Sequence, residues 1–228
     1  MSGALAGRRL YLCTADRPDL ERFVGACIEG GVDVVQLRDK DLDAPSQLRR
    51  AAVAAAVCAG HGVPFVLNDR PDLTLALREA GGAGEGSPPV AGVHVGQDDA
   101  PARLARRILG DDAVIGLSTH CEADLDDGLG QPVDYLSAGP VVPTPTKPGR
   151  PGTGLDYVRT AAARCRAAGM PLFVTGGVTP EGVRGLAAAG VDRFVVVRYL
   201  TESEDPRAAA ARLRRAIDEA VDANGGAP

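Results

Sequence analysis

Short apolar segments of strand character alternate with helical segments along almost the whole chain of 228 residues. The strand-like segments are rich in Val and Leu and carry few polar residues, which is typical of parallel strands that are buried on both faces. Eight such segments occur, at residues 9–14, 32–37, 64–67, 92–95, 113–117, 133–136, 172–174 and 194–197. This regular alternation limits the chain to the folds that are built from repeated strand–helix units.

A helical pattern follows each of the strand-like segments. Several of these patterns open with a capping residue or a first-turn proline, as at Thr179-Pro180. Eight strand–helix units favour a (β/α)8 barrel over an open doubly wound sheet. We therefore predict one α/β domain, a (β/α)8 TIM barrel over residues 8–222, with short flexible termini at residues 1–7 and 223–228. The predicted helices lie at residues 19–29, 45–59, 71–80, 101–109, 122–127, 155–168, 180–189 and 205–223.

One insertion interrupts the pattern, a Gly-rich stretch at residues 81–89 before the fourth strand-like segment. Such a composition favours a flexible connection. We expect a loop on the N-terminal face of the barrel that takes no part in the chemistry.

The composition and charge exclude several classes of function. Hydrophobic residues make up 45% and charged residues 24% of the chain, as in an ordinary globular protein. The formal net charge of −5 argues against a nucleic-acid partner, because proteins that bind phosphate backbones present a basic face. No apolar run reaches the roughly 18–20 residues of a membrane span, and the first residues lack the apolar segment of a secretory signal. We therefore expect a cytoplasmic protein.

The cysteines and histidines show no pattern of a metal or disulfide site. Five cysteines, an odd number, are widely spaced and include no C-x-x-C pair. Such spacing predicts neither a disulfide framework nor a zinc framework, and the three histidines are equally scattered.

The second strand-like segment ends in a polar run, Gln36-Leu37-Arg38-Asp39-Lys40. Side chains of a strand alternate between two faces, so Gln36, Arg38 and Lys40 share one face that leads to the barrel mouth. A cluster of surface salt bridges is the alternative. A glutamine and two cations in register match a phosphate better, and we predict a phosphate-binding wall.

Carboxylates close the next two strand-like segments. Asn68 and Asp69 follow the third, and Asp98 and Asp99 follow the fourth. Helix capping is the alternative for Asn68 and Asp69, and a capping role for Asp99 is compatible with a role at a metal. Neighbouring strands bring such carboxylates together, and Mg²⁺ is usually held by one or two carboxylates with water and substrate phosphates. We predict a magnesium site on Asp69 and Asp99.

Donors also follow the later strand-like segments. Ser118 ends the fifth, Gly176-Gly177 follows the seventh, and Val197-Arg198 ends the eighth. The loops after strands seven and eight of a TIM barrel form its usual phosphate pocket, where backbone N–H groups meet the anion. A plain tight turn is the alternative for the two glycines.

The segment from Thr144 to Gly154 is a donor-rich loop with two cations, three hydroxyls and no carboxylate. Its three prolines and three glycines exclude a helix or a central strand. A solvated linker is the alternative, but the cations Lys147 and Arg150 among hydroxyls favour a loop that binds an anion. We hypothesise that this loop is a lid that closes over bound ligands.

Together these segments predict two anion sites in one cavity. The glycine turn and the eighth strand end would hold a monophosphate. A cavity with both sites suggests two substrates and group transfer, with pyrophosphate as the leaving group. The site for a multiply charged group such as pyrophosphate would consist of Gln36, Arg38, Lys40, Asn68 and Lys147, with a metal ion on Asp69 and Asp99.

The ordered combination of these motifs resembles the thiamine phosphate synthase family, over residues 10–200 of the chain. Single motifs such as Gly-Gly before a helix are weak evidence, whereas the ordered set is strong. The motifs are Gln36-Leu37-Arg38-Asp39-Lys40, Asn68-Asp69-Arg70, Gly92-Val93-His94-Val95-Gly96-Gln97-Asp98-Asp99, Gly116-Leu117-Ser118, Gly139-Pro140-Val141, Thr144-Pro145-Thr146-Lys147 and Thr175-Gly176-Gly177-Val178.

The resemblance implies an enzyme that joins a hydroxymethylpyrimidine pyrophosphate to a hydroxyethylthiazole phosphate and releases pyrophosphate, with magnesium as cofactor. It also implies that the thiazole nitrogen is the nucleophile, so that no side chain attacks covalently. The implied metal ligands are Asp69 and Asp99, and the implied catalytic residues are Lys147, Arg38 and Ser118. The pyrimidine pyrophosphate would be bound by Gln36, Arg38, Lys40, Asn68, Ser118 and Lys147. The thiazole phosphate would be bound by Thr144, Pro145, Thr146, Gly177, Val197 and Arg198.

One position departs from the family pattern, and two alternatives stay open. The family often has a small residue, commonly serine, where this chain has Arg198, which puts either a backbone amide or a guanidinium at the phosphate. A thiazole tautomerase or regulatory relative on the same barrel is the nearest alternative, because His120 at a strand end could move a proton. Another phosphosugar enzyme of the barrel class would leave the Lys147 loop unexplained. The expected partners are the two small substrates, with the oligomeric state left open.

Overall fold

Eight parallel strands close into a barrel in the order in which they occur along the chain. The structure, a computed structural model, describes residues 3–80, 90–144 and 151–225. Each strand pairs with the next one, and the last strand pairs with the first. The predicted (β/α)8 barrel is therefore confirmed. The strands are β1 Leu10–Thr14, β2 Val34–Leu37, β3 Phe65–Asn68, β4 Val90–Val95, β5 Val114–Thr119, β6 Tyr135–Ala138, β7 Leu172–Thr175 and β8 Phe194–Val196.

Helices follow the strands and cover the outside of the barrel. Their starts are fixed locally: Asp43 accepts a hydrogen bond from the Ser46 N–H at 2.7 Å, and Thr179 accepts one from the Gly182 N–H at 3.1 Å. A one-turn helix between β8 and the last helix was not predicted, because four residues are too few to show a helical period. The helices are α1 Leu20–Glu29, α2 Ala44–Gly60, α3 Pro71–Ala80, α4 Ala102–Leu109, α5 Glu122–Leu129, α6 Gly154–Ala167, α7 Pro180–Ala188, α8 Arg198–Thr201 and α9 Pro206–Ala223.

Alternating side chains of the strands form two apolar layers. Residues such as Leu10, Leu12 and Val35 point outward and pack against the helices. Residues such as Tyr11 and Val34 point inward and fill the barrel itself. Burying a large apolar side chain stabilises a fold by roughly 1.5–3 kcal/mol, so both layers hold the barrel together. Towards the C-terminal strand ends the inward positions become polar, and there the packed interior gives way to a cavity.

The segment before β1 closes the N-terminal end of the barrel. Gly3–Leu5 forms a 3-10 helix, and Leu5 is only 2% exposed because it packs with Val34 and Val66 inside the barrel. The segment of residues 1–7, for which the sequence predicts flexibility, thus contains a short 3-10 helix with a buried leucine, and its mobility stays a prediction. A single buried leucine in a short Gly- and Ala-rich stretch gives too little sequence signal.

Three sequence expectations concern residues outside the described ranges: the insertion at residues 81–89, the middle of the donor-rich loop at residues 145–150, and the last residues, 226–228. Across the parts of the chain that are described, none of the helices has both the length and the apolar character needed to cross a membrane.

Candidate active site

A cavity of about 580 Å³ opens at the C-terminal ends of the strands. Pro145, Thr146 and Lys147 lie outside the described residues. Each of the other predicted site residues lines the cavity, although their individual roles in binding stay predictions. These lining residues are Gln36, Arg38, Lys40, Asn68, Asp69, Asp99, Ser118, Thr144, Gly177, Val197 and Arg198.

Two amide side chains form part of the cavity floor. Gln36 on β2 and Asn68 on β3 are each 5% exposed, and the Gln36 Nε2 atom donates a hydrogen bond to Asn68 Oδ1 at 2.9 Å. This bond fixes the orientation of both amides. The pair keeps an amide oxygen on Gln36 and an amide nitrogen on Asn68 for a ligand, which suits a neutral group that both donates and accepts.

Two carboxylates meet one ammonium on the rim next to β2, β3 and β4. The Lys40 Nζ atom lies 2.8 Å from Asp69 Oδ2 and 3.9 Å from Asp99 Oδ1. The other oxygen of Asp99, Oδ2, accepts a hydrogen bond from the Gly96 N–H at 3.0 Å. Asp69 is in the left-handed region, with φ of 62°, and its N–H donates to the His94 carbonyl at 2.8 Å. That conformation costs a non-glycine residue about 1 kcal/mol, and here it holds the carboxylate on the rim.

The electrostatic setting of Asp69 is unfavourable for its negative charge. Burial raises the pKa of the Asp69 carboxyl, and the neighbouring Asp99 raises it further, whereas Lys40 lowers it. Among the described residues, this part of the rim therefore places two carboxylates beside one lysine.

The two carboxylates fit a divalent cation of the magnesium type. Among the residues that the structure describes, no group of three or more His, Cys, Asp or Glu could hold a metal ion. Asp69 and Asp99 would thus supply only part of an oxygen shell. Mg²⁺ commonly takes one or two carboxylates and completes its octahedral shell with water and substrate phosphates. A cation there would also relieve the repulsion between the two carboxylates.

Two arginines face the cavity without a partner in the described parts of the chain. The guanidinium groups of Arg38 and Arg198 make no hydrogen bond or ion pair to any residue in those parts. By contrast, nearby Arg17 is bound to Asp19 at 2.5 Å. Arg38 and Arg198 also border a smaller pocket of about 280 Å³. Cations left unpaired at a cavity are suited to an anionic ligand.

Bare backbone faces the cavity beyond β7. Gly176 and Gly177 have φ of 96° and 76°, a region that favours glycine. A Cβ atom on Gly176 would lie 2.5 Å from the Val141 nitrogen, so a side chain cannot be placed there. This turn leads into α7, whose positive N-terminal end adds to the attraction for an anion.

The donor-rich loop is held at its base. The Thr153 N–H donates to the Pro140 carbonyl at 2.8 Å, and the Gly154 N–H donates to the Val141 carbonyl at 3.1 Å. The ends of the loop are therefore adjacent beside the glycine turn. Thr144, the first residue of the loop, lines the cavity, and its contact with the thiazole phosphate stays a prediction.

Sequence reasoning missed a group of hydroxyl and imidazole side chains beneath the floor. Tyr11, His94, Tyr135 and Ser137 line the bottom of the cavity together with Ser118. In the sequence, His94 stands out only as part of a family motif, and the tyrosines have the appearance of ordinary core residues. The signal that could have found them is the alternation of side chains along a strand. Each of these residues is separated by an even number of positions from another inward-facing residue of its own strand, so it also points inward.

A histidine–aspartate pair lies at the rim after β5. His120 Nδ1 is 3.3 Å from Asp124 Oδ2, which also accepts the His120 N–H at 2.8 Å. Asp124 thus holds both the backbone and the imidazole of His120 just before α5 begins. The pair is the structural feature that a proton-transfer alternative would use.

Comparison with known proteins gives a consistent result. The family described as thiamine monophosphate synthase matches residues 10–200. The chain is 45% identical over 221 residues to the thiamine-phosphate synthase of Thermobifida fusca, which covers 93% of this chain and 94% of that protein. It is 45% identical over 218 residues to that of Acidothermus cellulolyticus, covering 93% and 96%. A solved thiamine phosphate pyrophosphorylase from Pyrococcus furiosus is similar with a TM-score of 0.79 at 25% identity, covering 93% of this chain and 96% of that one.

Proposed function

Because the chain belongs to the thiamine monophosphate synthase family, we propose that its cavity joins a hydroxymethylpyrimidine pyrophosphate to a hydroxyethylthiazole phosphate. The chain is a transferase of thiamine biosynthesis, and the reaction yields thiamine phosphate and pyrophosphate. One observation supports this assignment above the others. The cavity has a cationic and carboxylate wall on one side, a glycine turn on the other, and a neutral hydrogen-bonding floor between them.

The pyrophosphate would bind along the wall that follows β2 to β4. Arg38 and Lys40 would pair with its oxygens, and the family resemblance adds Lys147. Asp69 and Asp99 would hold Mg²⁺, which when bound supplies positive charge against the oxygens of the leaving group. Binding of the substrate would also draw Lys40 from the carboxylates towards the pyrophosphate.

The pyrimidine ring would lie on the floor, where Gln36, Asn68 and Ser118 offer donors and acceptors. The thiazole phosphate would bind at the opposite side, on the backbone of the glycine turn, the start of α8 and the Arg198 guanidinium. Thr144 would contact the same phosphate, with Pro145 and Thr146 assigned there by the resemblance alone.

The bond changes follow from this placement. The C–O bond between the pyrimidine methylene and the pyrophosphate breaks, and pyrophosphate leaves with the electron pair. The thiazole nitrogen donates its lone pair to the methylene carbon, and the product carries the positive charge as a thiazolium. The protein contributes by holding both substrates in line and by stabilising the charge on the leaving group. Arg38, Ser118 and Lys147 are the proposed catalytic residues.

The direct test is an assay of the purified chain with both phosphorylated substrates and Mg²⁺. We expect thiamine phosphate and pyrophosphate in equal amounts, with omission of either substrate as the control. No product over a wide range of substrate concentrations would contradict the synthase assignment. Conversion of one thiazole isomer to the other without the pyrimidine substrate would instead support the tautomerase alternative, in which the His120–Asp124 pair moves a proton.

The magnesium role is tested by the variant Asp69→Asn. This change keeps the size of the side chain and the left-handed backbone but removes one ligand charge. We expect a higher Mg²⁺ concentration for half-maximal activity and a lower turnover. Unchanged activation by Mg²⁺ would remove Asp69 from the metal site. A cytoplasmic location and the absence of a nucleic-acid partner stay predictions.

A further inference from the structure

A line of buried hydrogen bonds runs up the inside of the barrel to the floor of the cavity. The Tyr11 and Tyr135 hydroxyls are 3.0 Å apart, and the Tyr135 hydroxyl is 2.9 Å from His94 Nδ1. The other ring nitrogen, His94 Nε2, is 2.9 Å from Ser118 Oγ. All four residues are buried. The line ends at a residue that the family resemblance assigns to the pyrimidine substrate.

The protons in this line can be ordered in two ways. In the first, Tyr11 donates to Tyr135 and Tyr135 donates to His94 Nδ1, so that the imidazole proton is on Nε2 and points at Ser118. In the second, every bond is reversed, and the Tyr11 hydroxyl has to donate elsewhere. In the described ranges its only hydrogen-bonding partner is Tyr135. A buried donor without an acceptor is unfavourable, so the first order holds.

A second donor reaches the same serine oxygen. The Ser137 hydroxyl donates to Ser118 Oγ at 3.4 Å, beside the bond from His94. A hydroxyl oxygen accepts at most two hydrogen bonds, and its single hydrogen can only donate. Once His94 and Ser137 are both bonded to it, the remaining capacity of Ser118 is that hydrogen, and Ser118 lines the cavity.

We propose that His94 and Tyr135 are positioning residues that fix Ser118 as a hydrogen-bond donor to a ring nitrogen of the pyrimidine. This inference rests on the proposed function and adds to it the direction of the hydrogen bond between Ser118 and the pyrimidine. Ring nitrogens of a pyrimidine accept hydrogen bonds, whereas an exocyclic amino group chiefly donates them. A serine held as a donor therefore selects the ring-nitrogen edge, and Gln36 keeps an acceptor for an amino group.

The packing around the line makes its geometry rigid. A Cβ atom on Gly116 would lie 2.1 Å from Tyr135 Cζ and 2.5 Å from His94 Nδ1, so only glycine allows the two rings this position. The His94 and Tyr135 rings stack with centroids 5.4 Å apart, and Phe173 meets the Tyr135 ring edge-on at 5.3 Å. Burial raises the pKa of Tyr135, which keeps its hydroxyl protonated as a donor.

The first test observes the imidazole proton directly. The chain has three histidines, so a protein labelled with ¹⁵N-histidine gives few signals, and the spectrum of His94→Gln assigns the one from His94. We expect the Nε2–H tautomer in the wild type and a mixture of tautomers in Tyr135→Phe. A predominant Nδ1–H tautomer in the wild type would overturn the proposal. This readout does not depend on catalysis, so it stands apart from any failure of the synthase assignment.

The second test compares two buried tyrosines. Tyr135→Phe removes the donor to His94, and we expect the KM for the pyrimidine pyrophosphate to rise about three- to tenfold, the weight of one neutral hydrogen bond. The matched control is Tyr157→Phe, which removes a buried hydroxyl bonded to Thr119 at 2.7 Å outside the cavity. We expect its constants to stay within about twofold of the wild type. Equal losses in both variants would indicate a structural role only and would overturn the proposal.

The third test asks whether the effect passes through Ser118. In a Ser118→Ala background, adding Tyr135→Phe should leave the pyrimidine KM unchanged, because coupled residues are not additive. A further rise in KM in the double variant would contradict an effect of Tyr135 that passes through His94 to Ser118. If the tyrosine variants fold poorly, His94→Gln replaces them, since its amide nitrogen can donate to Ser118. His94→Gln should retain a lower KM than His94→Leu, and equal KM values would count against the proposal.

Discussion

At the N-terminal end of the barrel, the Asp33 carboxylate is fully paired within the protein. Its oxygens accept the N–H groups of Arg9 and Leu10, both at 2.9 Å, and the Arg214 guanidinium at 2.9 Å. At the C-terminal end, Asp69 and Asp99 share one half-exposed lysine. The difference indicates that one end uses its charges to join β1, β2 and α9, whereas the other leaves two carboxylates to one lysine, as our proposal of a substrate and metal site requires.

Burial acts in the same direction on Asp33 and on the partly buried Asp69, but its consequences differ. It raises the pKa of Asp33 and of Asp69. At Asp33, backbone N–H groups and Arg214 oppose the rise, so the protein itself supports the charge. At Asp69 the neighbouring Asp99 adds to it. The N-terminal end of a TIM barrel thus serves stability and the C-terminal end serves chemistry, as the fold generally allows.

The largest expected effect is that of Arg38→Met at the mouth. The guanidinium is unpaired within the described residues, so its charge is available to the leaving pyrophosphate. We expect kcat/KM to fall by about 10²–10³-fold, the usual cost of removing a donor that stabilises developing charge. The unfolding midpoint should change little, because no hydrogen bond or ion pair within the described residues is lost and methionine keeps most of the aliphatic stem. Steady-state kinetics and thermal unfolding measure both.

The control for Arg38→Met is Arg49→Met on the exposed face of α2, where the guanidinium donates a hydrogen bond to the Ser46 hydroxyl and interacts electrostatically with Asp43. It removes the same charge from a side chain that does not line the cavity and should leave kcat/KM within about twofold. A similar loss in both variants would mean that overall charge, and not the wall of the cavity, steers the substrate.

The next largest effect is on stability, from Asp33→Ala. Two buried N–H groups and Arg214 lose their acceptor, and we expect a loss of about 3 kcal/mol in the free energy of unfolding. For a chain of this size that lowers the midpoint by roughly 6–12 °C. Activity per folded molecule should be unchanged, since Asp33 does not line the cavity. Denaturant titration gives the free energy of unfolding.

Asp222→Ala is the control for Asp33→Ala. Its carboxylate lies 3.6 Å from Arg9 and its side chain is 71% exposed, so its removal should cost less than about 1 kcal/mol. If Asp33→Ala were equally mild, the paired end of the barrel would not be a stabilising feature. The difference between the two ends of the barrel would then be supported only by the results at the C-terminal mouth.

Much of the fold could be predicted because the strands of a closed barrel are buried on both faces and separated by amphipathic helices. The observed strand boundaries differ from the predicted ones where residues before a strand instead close the C-terminal end of the preceding helix. The second strand was predicted from Val32, whose N–H instead donates to the Cys27 carbonyl at 3.1 Å and closes α1. The observed β2 begins two residues later, at Val34.

Site residues that end their own strand could be predicted from the sequence. Contacts between residues of different strands could not, because they depend on the register of the strands. Parity alone places Gln36 and Arg38 on the inward face. The line beneath the floor requires that His94 pairs with Gly116 and that Gly116 pairs with Tyr135, across three strands. Spacing along the chain does not contain that information, since it depends on the shear of the barrel.

A smaller effect is expected for Arg198→Ser, which introduces the residue common in the family. Arg198 begins α8, so its backbone amide stays in place while the guanidinium is lost. We expect the KM for the thiazole phosphate to rise about three- to tenfold, as for one hydrogen bond to a partly exposed group. Arg184→Ser on the exposed side of α7 is the control. An unchanged KM would show that the backbone alone binds the phosphate.

The smallest effect, and the one of opposite sign, is that of Asp69→Asn on stability in the presence of EDTA. The amide removes the repulsion with Asp99 and the cost of burying a charge, while the bond lost to half-exposed Lys40 is worth little. Asparagine also tolerates the left-handed backbone. We expect a gain of about 0.5–1 kcal/mol in the free energy of unfolding, together with the loss of activity.

Adding Mg²⁺ with pyrophosphate should make the wild type more stable than Asp69→Asn, the reverse of the order expected in EDTA. A ligand that binds the folded state raises the midpoint more when it binds more tightly, and the wild type has both carboxylates for the cation. Thermal unfolding with and without the two ions measures this crossing. If Asp69→Asn were less stable than the wild type in EDTA, the ion pair with Lys40 would already compensate the charges of Asp69 and Asp99. The mouth would then resemble the N-terminal end, where the carboxylate is paired. A gain that disappears on adding the ions would instead show that the mouth is held in an unfavourable state that its ligands relieve.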